Sequence, residues 1–235
     1  MIEGLNLAAK CLEKSYKNIS VVANNLANLN TNGYKKDETF FNILDDLQSP
    51  KMEEYTDFEQ GEILPTSNPL DLALNGNAFF VLEKDGQFYY TKNGKFTIDN
   101  DGYLINQDGF KVMGQNGEIS LSQTKLDDNQ QIKISEDGEI QVGNMDIDQL
   151  LIAKIGNKNA LQKVSSSNFV LEGDGYLTPE ENEYSVSQGY LESSNVNAIE
   201  EMENMILTNK NFESAQKVVH YFDTSLDKAN EIGRV

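Results

Sequence analysis

Carboxylates are the one reactive group this chain holds in quantity: 38 Asp and Glu stand against 19 Lys and Arg, one His and one Cys in 235 residues. At that density close carboxylate pairs are unavoidable, so they do not by themselves point to a hydrolase, which needs two of them placed across a cleft. Asp99-Asn100-Asp101-Gly102 faintly resembles a calcium loop. Its register sets Thr97 where an acid is required and Asp108 where a Glu is required, so the run reads as a β-turn. His220 has no cysteine partner with which to build a zinc site and reads as a helix-surface or interface residue. Cys11 is alone, so no intramolecular disulfide forms. Nucleophile elbows, phosphate loops and dinucleotide fingerprints do not occur. The expectation is a chain with no catalytic residue, no cofactor and no metal.

Charge narrows the partners further. The formal net charge is -19, and Arg234 is the only arginine. Such a chain repels nucleic-acid phosphates and anionic membrane surfaces. The charge is concentrated in the middle: residues 1–35 carry +2, 36–195 carry -18 and 196–235 carry -3. Near-neutral ends suit close packing, and an acidic middle suits solvation. No run approaches the ~18 apolar residues of a membrane span. Lys10, Lys14 and Lys17 interrupt the N-terminal apolar pattern, so a Sec-type signal peptide is not expected.

The patterned residues are those of two helices. Ile2, Leu5, Ala9, Leu12, Tyr16, Ile19, Ala23 and Leu26 alternate spacings of three and four, which is a heptad seam. It fades into Asn28 and stops before Asn32-Gly33. A second helical face starts with Val196, Ile199, Met202 and Met205, and continues through Phe212, Ala215, Val219, Phe222, Leu226 and Ala229. Ser194 or Asn195 could cap it, and Glu200, Glu201 and Glu203 favour its positive end. Asn209 falls where the seam calls for an apolar residue, marking either a register device or a phase shift. Asn24, Asn25 and Asn28 lie beside the first seam. Asn is a mediocre helix former, so three in five positions imply hydrogen bonding to neighbouring subunits or to the adjoining loop, or fraying of the helix end.

Between the helices the pattern changes. Asn-Gly and Asp-Gly pairs recur at 75–76, 85–86, 93–94, 101–102, 108–109, 116–117 and 137–138. They fit type I′ turns between short strands such as Phe79–Glu83, Phe88–Thr91, Phe96–Ile98, Gln131–Ser135, Glu139–Val142 and Leu150–Ile155. The fold class expected is α+β, with terminal helices paired as a coiled-coil-like layer and a central β-rich domain of short hairpins. The domains expected are an axial helix over 1–33, an extended connector over 34–65, the β-rich domain over 66–190 and a second axial helix over 191–235. Neither helix has a partner nearby in sequence. Each must therefore pack on the other, on another subunit, or on both.

Three segments in this order carry a resemblance. They are ANNLANLNTNGYK at 23–35, PLDLALNGNAFFV at 69–81 with YYTKNGKFTIDNDGYLINQDGFKVMG at 89–114, and GYLESSNVNAIEEMENMI at 189–206. Together they resemble the flagellar axial protein family of rod and hook subunits, and most resemble a proximal rod protein. The stretch 150–170 lacks the Phe-x-Asn-Pro-x-Gly-Leu element expected of a distal-rod protein, and the length leaves no room for the outer domains of a hook protein. The resemblance implies a structural subunit of the drive shaft that carries motor torque to the hook, not an enzyme. It implies contacts with copies of itself and with other rod and hook-basal-body proteins. It also implies export by the flagellar type III apparatus without a cleaved signal peptide, and a place in the periplasmic, cell-envelope rod. The assembly surface expected comprises Leu5, Leu12, Tyr16, Ile19, Asn24, Asn25, Leu26 and Asn28 on the first helix and its end. On the second it comprises Ser194, Asn195, Val196, Met202, Met205, Phe212, Val219, Phe222 and Leu226. Another axial protein, such as the distal rod, is the near alternative, and a secreted acidic glycan hydrolase the distant one.

Overall fold

The structure is a computed structural model and describes residues 2–42, 51–121, 132–172 and 183–232. It divides into a helical unit, formed by 1–27, 37–57 and 196–235, and a β unit, formed by 28–36 and 58–195. The α+β class expected from the sequence is the class observed.

In the helical unit, α1 (Ile2–Ala27) packs on α2 (Ala198–Ile232). Asn18 meets Thr208, and Gly4 faces the ring of Phe222 so closely that a Cβ there would lie 2.8 Å from it. Rising numbers on one helix meet falling numbers on the other, so the pair is antiparallel. At about 1.5 Å per residue α2 is roughly 50 Å long. A hairpin of β1 (Asp37–Asn42) and β2 (Lys51–Thr56) completes this unit, with β1 against α1. Thus part of the stretch read as a connector is paired strand. Among the described residues no helix is long and apolar enough to cross a membrane.

The α2 cap is Asn197, not Ser194 or Asn195. Its side chain accepts from the backbone N–H of Ile199 at 3.0 Å and of Glu200 at 3.5 Å. All three candidates are good cap residues. The choice follows from Asn195 being engaged elsewhere. The seam on α2 also runs differently. Its covered stripe is Ala198, Glu201, Met205, Thr208, Phe212, Ala215, Val219 and Phe222, an unbroken three-four alternation. Glu201 and Thr208 hide it from a reading based on apolar residues alone. Asn209 is exposed one position past Thr208, off this stripe, which runs on without a break.

In the β unit the strands are β3 (Ile63–Pro65), β4 (Leu72–Gly76), β5 (Ala78–Lys84), β6 (Gln87–Thr91), β7 (Phe96–Ile98), β8 (Leu104–Asn106), β9 (Lys111–Gly114), β10 (Gly117–Glu118), β11 (Ile132–Ile134), β12 (Glu139–Val142), β13 (Met145–Gln149), β14 (Ile152–Lys154), β15 (Leu161–Lys163), β16 (Asn168–Leu171), β17 (Tyr184–Gln188) and β18 (Tyr190–Glu192). The main sheet runs β15-β16-β6-β5-β9-β8-β7, with β14 on β5 and β10 on β9, and its pairings are antiparallel. Smaller sheets are β11-β12-β13, β17-β4 and β18-β3. Gln131, expected to open a strand, lies outside the described residues, as does Arg234.

The expected turn chemistry holds at Asp85-Gly86, where both residues have positive φ and a two-residue loop joins β5 to β6. It fails at Asn93-Gly94. There β6 and β7 lie apart in the sheet, and Gly94 is needed for space: a Cβ would fall 1.7 Å from the Leu72 carbonyl oxygen. Asp99 is a turn residue whose side chain accepts from the amides of Asp101 at 3.0 Å and Tyr103 at 2.7 Å.

Alternation along β5 sends its side chains to two cores. Phe80 and Leu82 join Leu72, Leu74, Phe96, Leu104, Val112 and Ile140 on one face. Phe79 and Val81 join Tyr90, Ala153, Ile155 and Phe169 on the other. Edge-to-face contacts fix both, Phe80 on Phe96 at 5.3 Å and Phe79 on Phe169 at 6.4 Å. The central strand is thus buried on both sides, whereas α1 and α2 expose most of their circumference. Helices with so little covered surface open readily. Brief trypsin treatment of the purified monomer is therefore expected to cut at Lys10, Lys14 and Lys217 well before Lys84 and Lys111. Mass spectrometry of the early fragments checks this, and simultaneous cleavage of both groups would contradict it.

Candidate assembly interface

The helical unit sorts the seam residues into two rows. On α1, Leu5, Leu12, Ile19 and Leu26 are half-buried, and Ala8, Ser15 and Val22 are buried beside them. Tyr16 is 70% exposed, and Ala9 and Ala23 are exposed with it. One row of the heptad faces α2, and small residues one position away from the expected second row complete that face. On α2, Met205, Phe212, Val219 and Phe222 are half-buried, whereas Met202 and Leu226 are exposed. Ile199 at 78% and Tyr221 at 72% exposure extend this outer apolar surface, and Ile206 lies one turn from Met202.

Polar contacts set the pairing within the unit. The Thr39 hydroxyl donates to Asn18 Oδ1 at 3.2 Å, and Asn18 Nδ2 donates to the Thr208 hydroxyl at 3.0 Å. One Asn thereby ties β1, α1 and α2 together. Sequence reading passed over Asn18. Its only signal is a side chain with both a donor and an acceptor placed at the edge of an apolar stripe. Asn25 is 1% exposed. Its Nδ2 donates to the Asp37 carbonyl at 2.8 Å and its Oδ1 accepts from the Asp37 amide at 3.0 Å, as a paired strand would. This Asn serves the adjoining strand. Asn24 is exposed. Lys17 and Glu54 form an ion pair at 3.2 Å with both side chains well exposed, a contact worth under ~1 kcal/mol.

In the β unit the two end motifs meet. Asn28 stops its helix by accepting from Thr31, through its carbonyl at 3.0 Å and its side chain at 3.1 Å. Beyond it, Lys35 and Glu192 form an ion pair at 2.5 Å with both side chains fully buried. Glu192 Oε1 also accepts from the Gly61 amide at 3.0 Å, and Lys35 donates to the Glu59 carbonyl at 2.6 Å. The Gly33 amide donates to the Glu192 carbonyl at 2.8 Å. Asn195 accepts from the Lys36 amide at 2.8 Å and donates to the Glu59 carbonyl at 3.3 Å. Lys163 covers the site, with its Nζ 3.9 Å from the Tyr34 ring centre and 2.7 Å from the Lys35 carbonyl oxygen. Ser194 is half-buried and Val196 buried. Sequence reading did not single out Lys35 or Glu192, although both lie inside the quoted motifs.

Among the described residues no group of His, Cys, Asp and Glu is placed to hold a metal. Cys11 and His220 are exposed on their helices. A polar depression of about 600 Å³ is lined by Asn75, Glu136, Asp137, Glu183 and Tyr184, and Glu183 is held there by Lys154.

Comparison with known proteins agrees with this layout. Residues 5–35 match the family profile described as flagella basal body rod protein. Residues 73–142 match that of the flagellar hook protein FlgE/F/G D1 domain, and 187–232 that of the flagellar basal body rod FlgEFG protein C-terminal. The flagellar basal-body rod protein FlgF of Rhizobium meliloti is 28% identical, over 98% of both chains. FlgF of Buchnera aphidicola subsp. Schizaphis graminum is 30% identical over 99% of this chain and 97% of its own. FlgG of Buchnera aphidicola subsp. Baizongia pistaciae is 30% identical over 97% and 98%.

Lys92 lies near the buried pair and donates to the carbonyls of Gly76 at 2.6 Å and Leu74 at 3.4 Å. Burial lowers its pKa from 10.5 to about 8, with Glu192 opposing the shift and Lys35 and Lys158 adding to it. A neutral amine keeps two N–H groups for its two acceptors. Between about pH 8 and 10.5 the unfolded chain binds more protons at this site, so Lys92 makes stability rise with pH across that window. The gain over the whole window is ~3 to 4 kcal/mol. Urea unfolding at pH 7.5 and 9.5 should show wild type gaining stability relative to Lys92→Met. An unchanged difference would refute the assignment.

Proposed function

The chain belongs to the flagellar basal-body rod protein family, and on that premise we propose that it is laid into the rod through the outer rows of its paired helices. The observation that carries this reading is the exposed apolar surface left once α1 and α2 have packed on each other, around Tyr16 on α1 and Ile199, Met202 and Ile206 on α2. Such surface on a water-soluble helix pair marks a protein contact. The two rows are chemically different, so a contact between the α1 row of one copy and the α2 row of another is heterologous. Repeated, it gives an open helical array rather than a closed dimer.

Copies of this chain and other rod or hook-basal-body proteins are its partners in this reading, with the periplasmic rod as its place and the flagellar export apparatus as its route. It works as a torque-carrying structural part and not as an enzyme. Within the family the proximal-rod type fits better than the distal. The stretch 150–170, which lacks a Phe-x-Asn-Pro-x-Gly-Leu element, supports that reading. The glycan hydrolase alternative has no observation in its favour.

Three substitutions separate contacts within the chain from contacts between chains. Tyr16→Asp and Ile206→Asp place a carboxylate on the outer rows, at several kcal/mol each if buried in an assembled contact. They should leave the monomer's circular dichroism unchanged and abolish incorporation into purified basal bodies, with loss of motility. Ile19→Asp, in the covered row, should reduce helical dichroism as well. Ser20→Asp, at an exposed polar position, is the control. Normal assembly of Tyr16→Asp and Ile206→Asp would refute this surface.

A further inference from the structure

The buried pair occupies a peculiar place in the chain. The backbone passes between the two units after residues 27, 36, 57 and 195. The segments that carry these passages are 28–36, 58–61 and 192–195. Their contacts with one another converge on Lys35 and Glu192, wholly inside the β unit. Glu192 Oε1 serves Lys35 and Gly61 together, while Oε2 is buried and has no hydrogen-bond partner among the described residues. Next to it, β3 pairs only with β18 among the described strands, and the Ser193 amide donates to the Glu62 carbonyl at 2.8 Å.

A buried ion pair of this kind contributes little net stability, because two charges have left water. Here the account is poorer still, since one carboxylate oxygen has given up solvent without replacement. The main sheet is held differently, by aromatic and aliphatic side chains buried on both faces of β5. Opening the junction returns two charges and an unsatisfied oxygen to water. Opening the sheet returns one such oxygen, Asn168 Oδ1, and no buried ion pair among the described residues. The two regions therefore have separate opening free energies.

We infer that Lys35 and Glu192 form a reversible latch, which gathers the chain's passages at one corner of the β unit and opens locally while the main sheet stays closed. Shut, it fixes where each passage leaves the β unit. Open, it lets the passages shift individually without unfolding the sheet. The matching of the two charges decides how readily it opens: either charge left alone opens the latch, and an uncharged pair of similar bulk keeps it shut.

Hydrogen exchange by mass spectrometry or NMR on the full-length chain tests this. Latch amides are those of Gly33, Gly61 and Ser193; reference amides are those of Phe79–Leu82. In wild type the latch amides should exchange at least ~10-fold faster than the reference amides. Glu192→Gln keeps the shape and leaves Lys35 buried without its counter-charge. It should speed latch exchange at least ~100-fold and leave the reference amides unchanged. The double variant Lys35→Met/Glu192→Leu should restore slow exchange at Gly33 and Ser193, whose acceptors are backbone carbonyls; the Gly61 amide loses its acceptor in this variant and is not read there. Equal acceleration of latch and sheet amides in Glu192→Gln would show that no separate latch exists. An unchanged latch in Glu192→Gln would show that the charges play no part in holding the junction, and failure of the double variant to restore slow exchange at Gly33 and Ser193 would show that the acceleration is not the cost of an unpaired charge. Either result overturns the inference.

Discussion

A lysine and a glutamate that both leave water completely must meet, because either one buried alone costs several kcal/mol. Lys35 and Glu192 are 157 residues apart in sequence and both fully buried. Their meeting is the constraint on which the junction segments of the β unit are arranged. It needs the segment after α1 to run beside the segment before α2, with β3 paired to β18 and the Gly61 backbone turned inward. It draws in Asn195 and so leaves the cap of α2 to Asn197. It also sets the environment of Lys92, which lies between a carboxylate that favours its charge and two ammonium groups that oppose it. In a chain with twice as many acids as bases, lysines 35, 92, 158 and 163 gather here, and three of them rest on aromatic faces, Lys92 on Phe79, Lys158 on Phe58 and Lys163 on Tyr34.

What the sequence disclosed, and what it hid, follows the range of each signal. Heptad spacing and Asp-Gly turns are local, so α1, α2 and the β5–β6 hairpin could be read directly. The direction of error is equally physical. A reader who counts only apolar residues places Ile199 and Met202 on the packed face of α2, whereas the packed stripe passes through Glu201 and Thr208. Asn93-Gly94 has turn composition but serves close approach to Leu72, a contact across 22 residues that no local rule contains. Strand order was invisible for the same reason, since β14 and β16 reach the main sheet from far along the chain.

The interface was legible in outline only. Leu5, Leu12, Ile19, Phe212, Val219 and Phe222 were recognisable as seam residues, but whether a seam faces its own chain or another is not written in its period. Asn25 illustrates the limit. Its type announces a hydrogen-bonding task, yet only the fold shows that the partner is the backbone of Asp37. Lys35 and Glu192 carry no spacing signal at all, because a buried ion pair is a property of three-dimensional placement. What could have raised attention was their position inside the two motifs at opposite ends of the chain.

The polar residues within the helix contact point to how such a subunit avoids satisfying itself. An antiparallel pair with Leu and Ile at every inner position would be more stable alone, and could also slide by a heptad with little loss. Ser15, Glu201 and Thr208 replace apolar residues on the inner stripes, and Asn18 spends its donor on Thr208 and its acceptor on Thr39. The bond to Thr208 exists in one register of α1 on α2, so a slide would part the Asn18 amide from the buried Thr208 hydroxyl and cost about 1–3 kcal/mol. The inner contact is thereby made weaker and more specific at once. The larger apolar side chains, Tyr16, Ile199, Met202 and Tyr221, are kept for the outer rows. There they gain their full burial only when another chain covers them, at roughly 1.5–3 kcal/mol for each large aliphatic side chain. In the proposed assembly, apolar surface distributed in this way favours the assembled state over the isolated one, and the polar relay would give every copy the same surface to present.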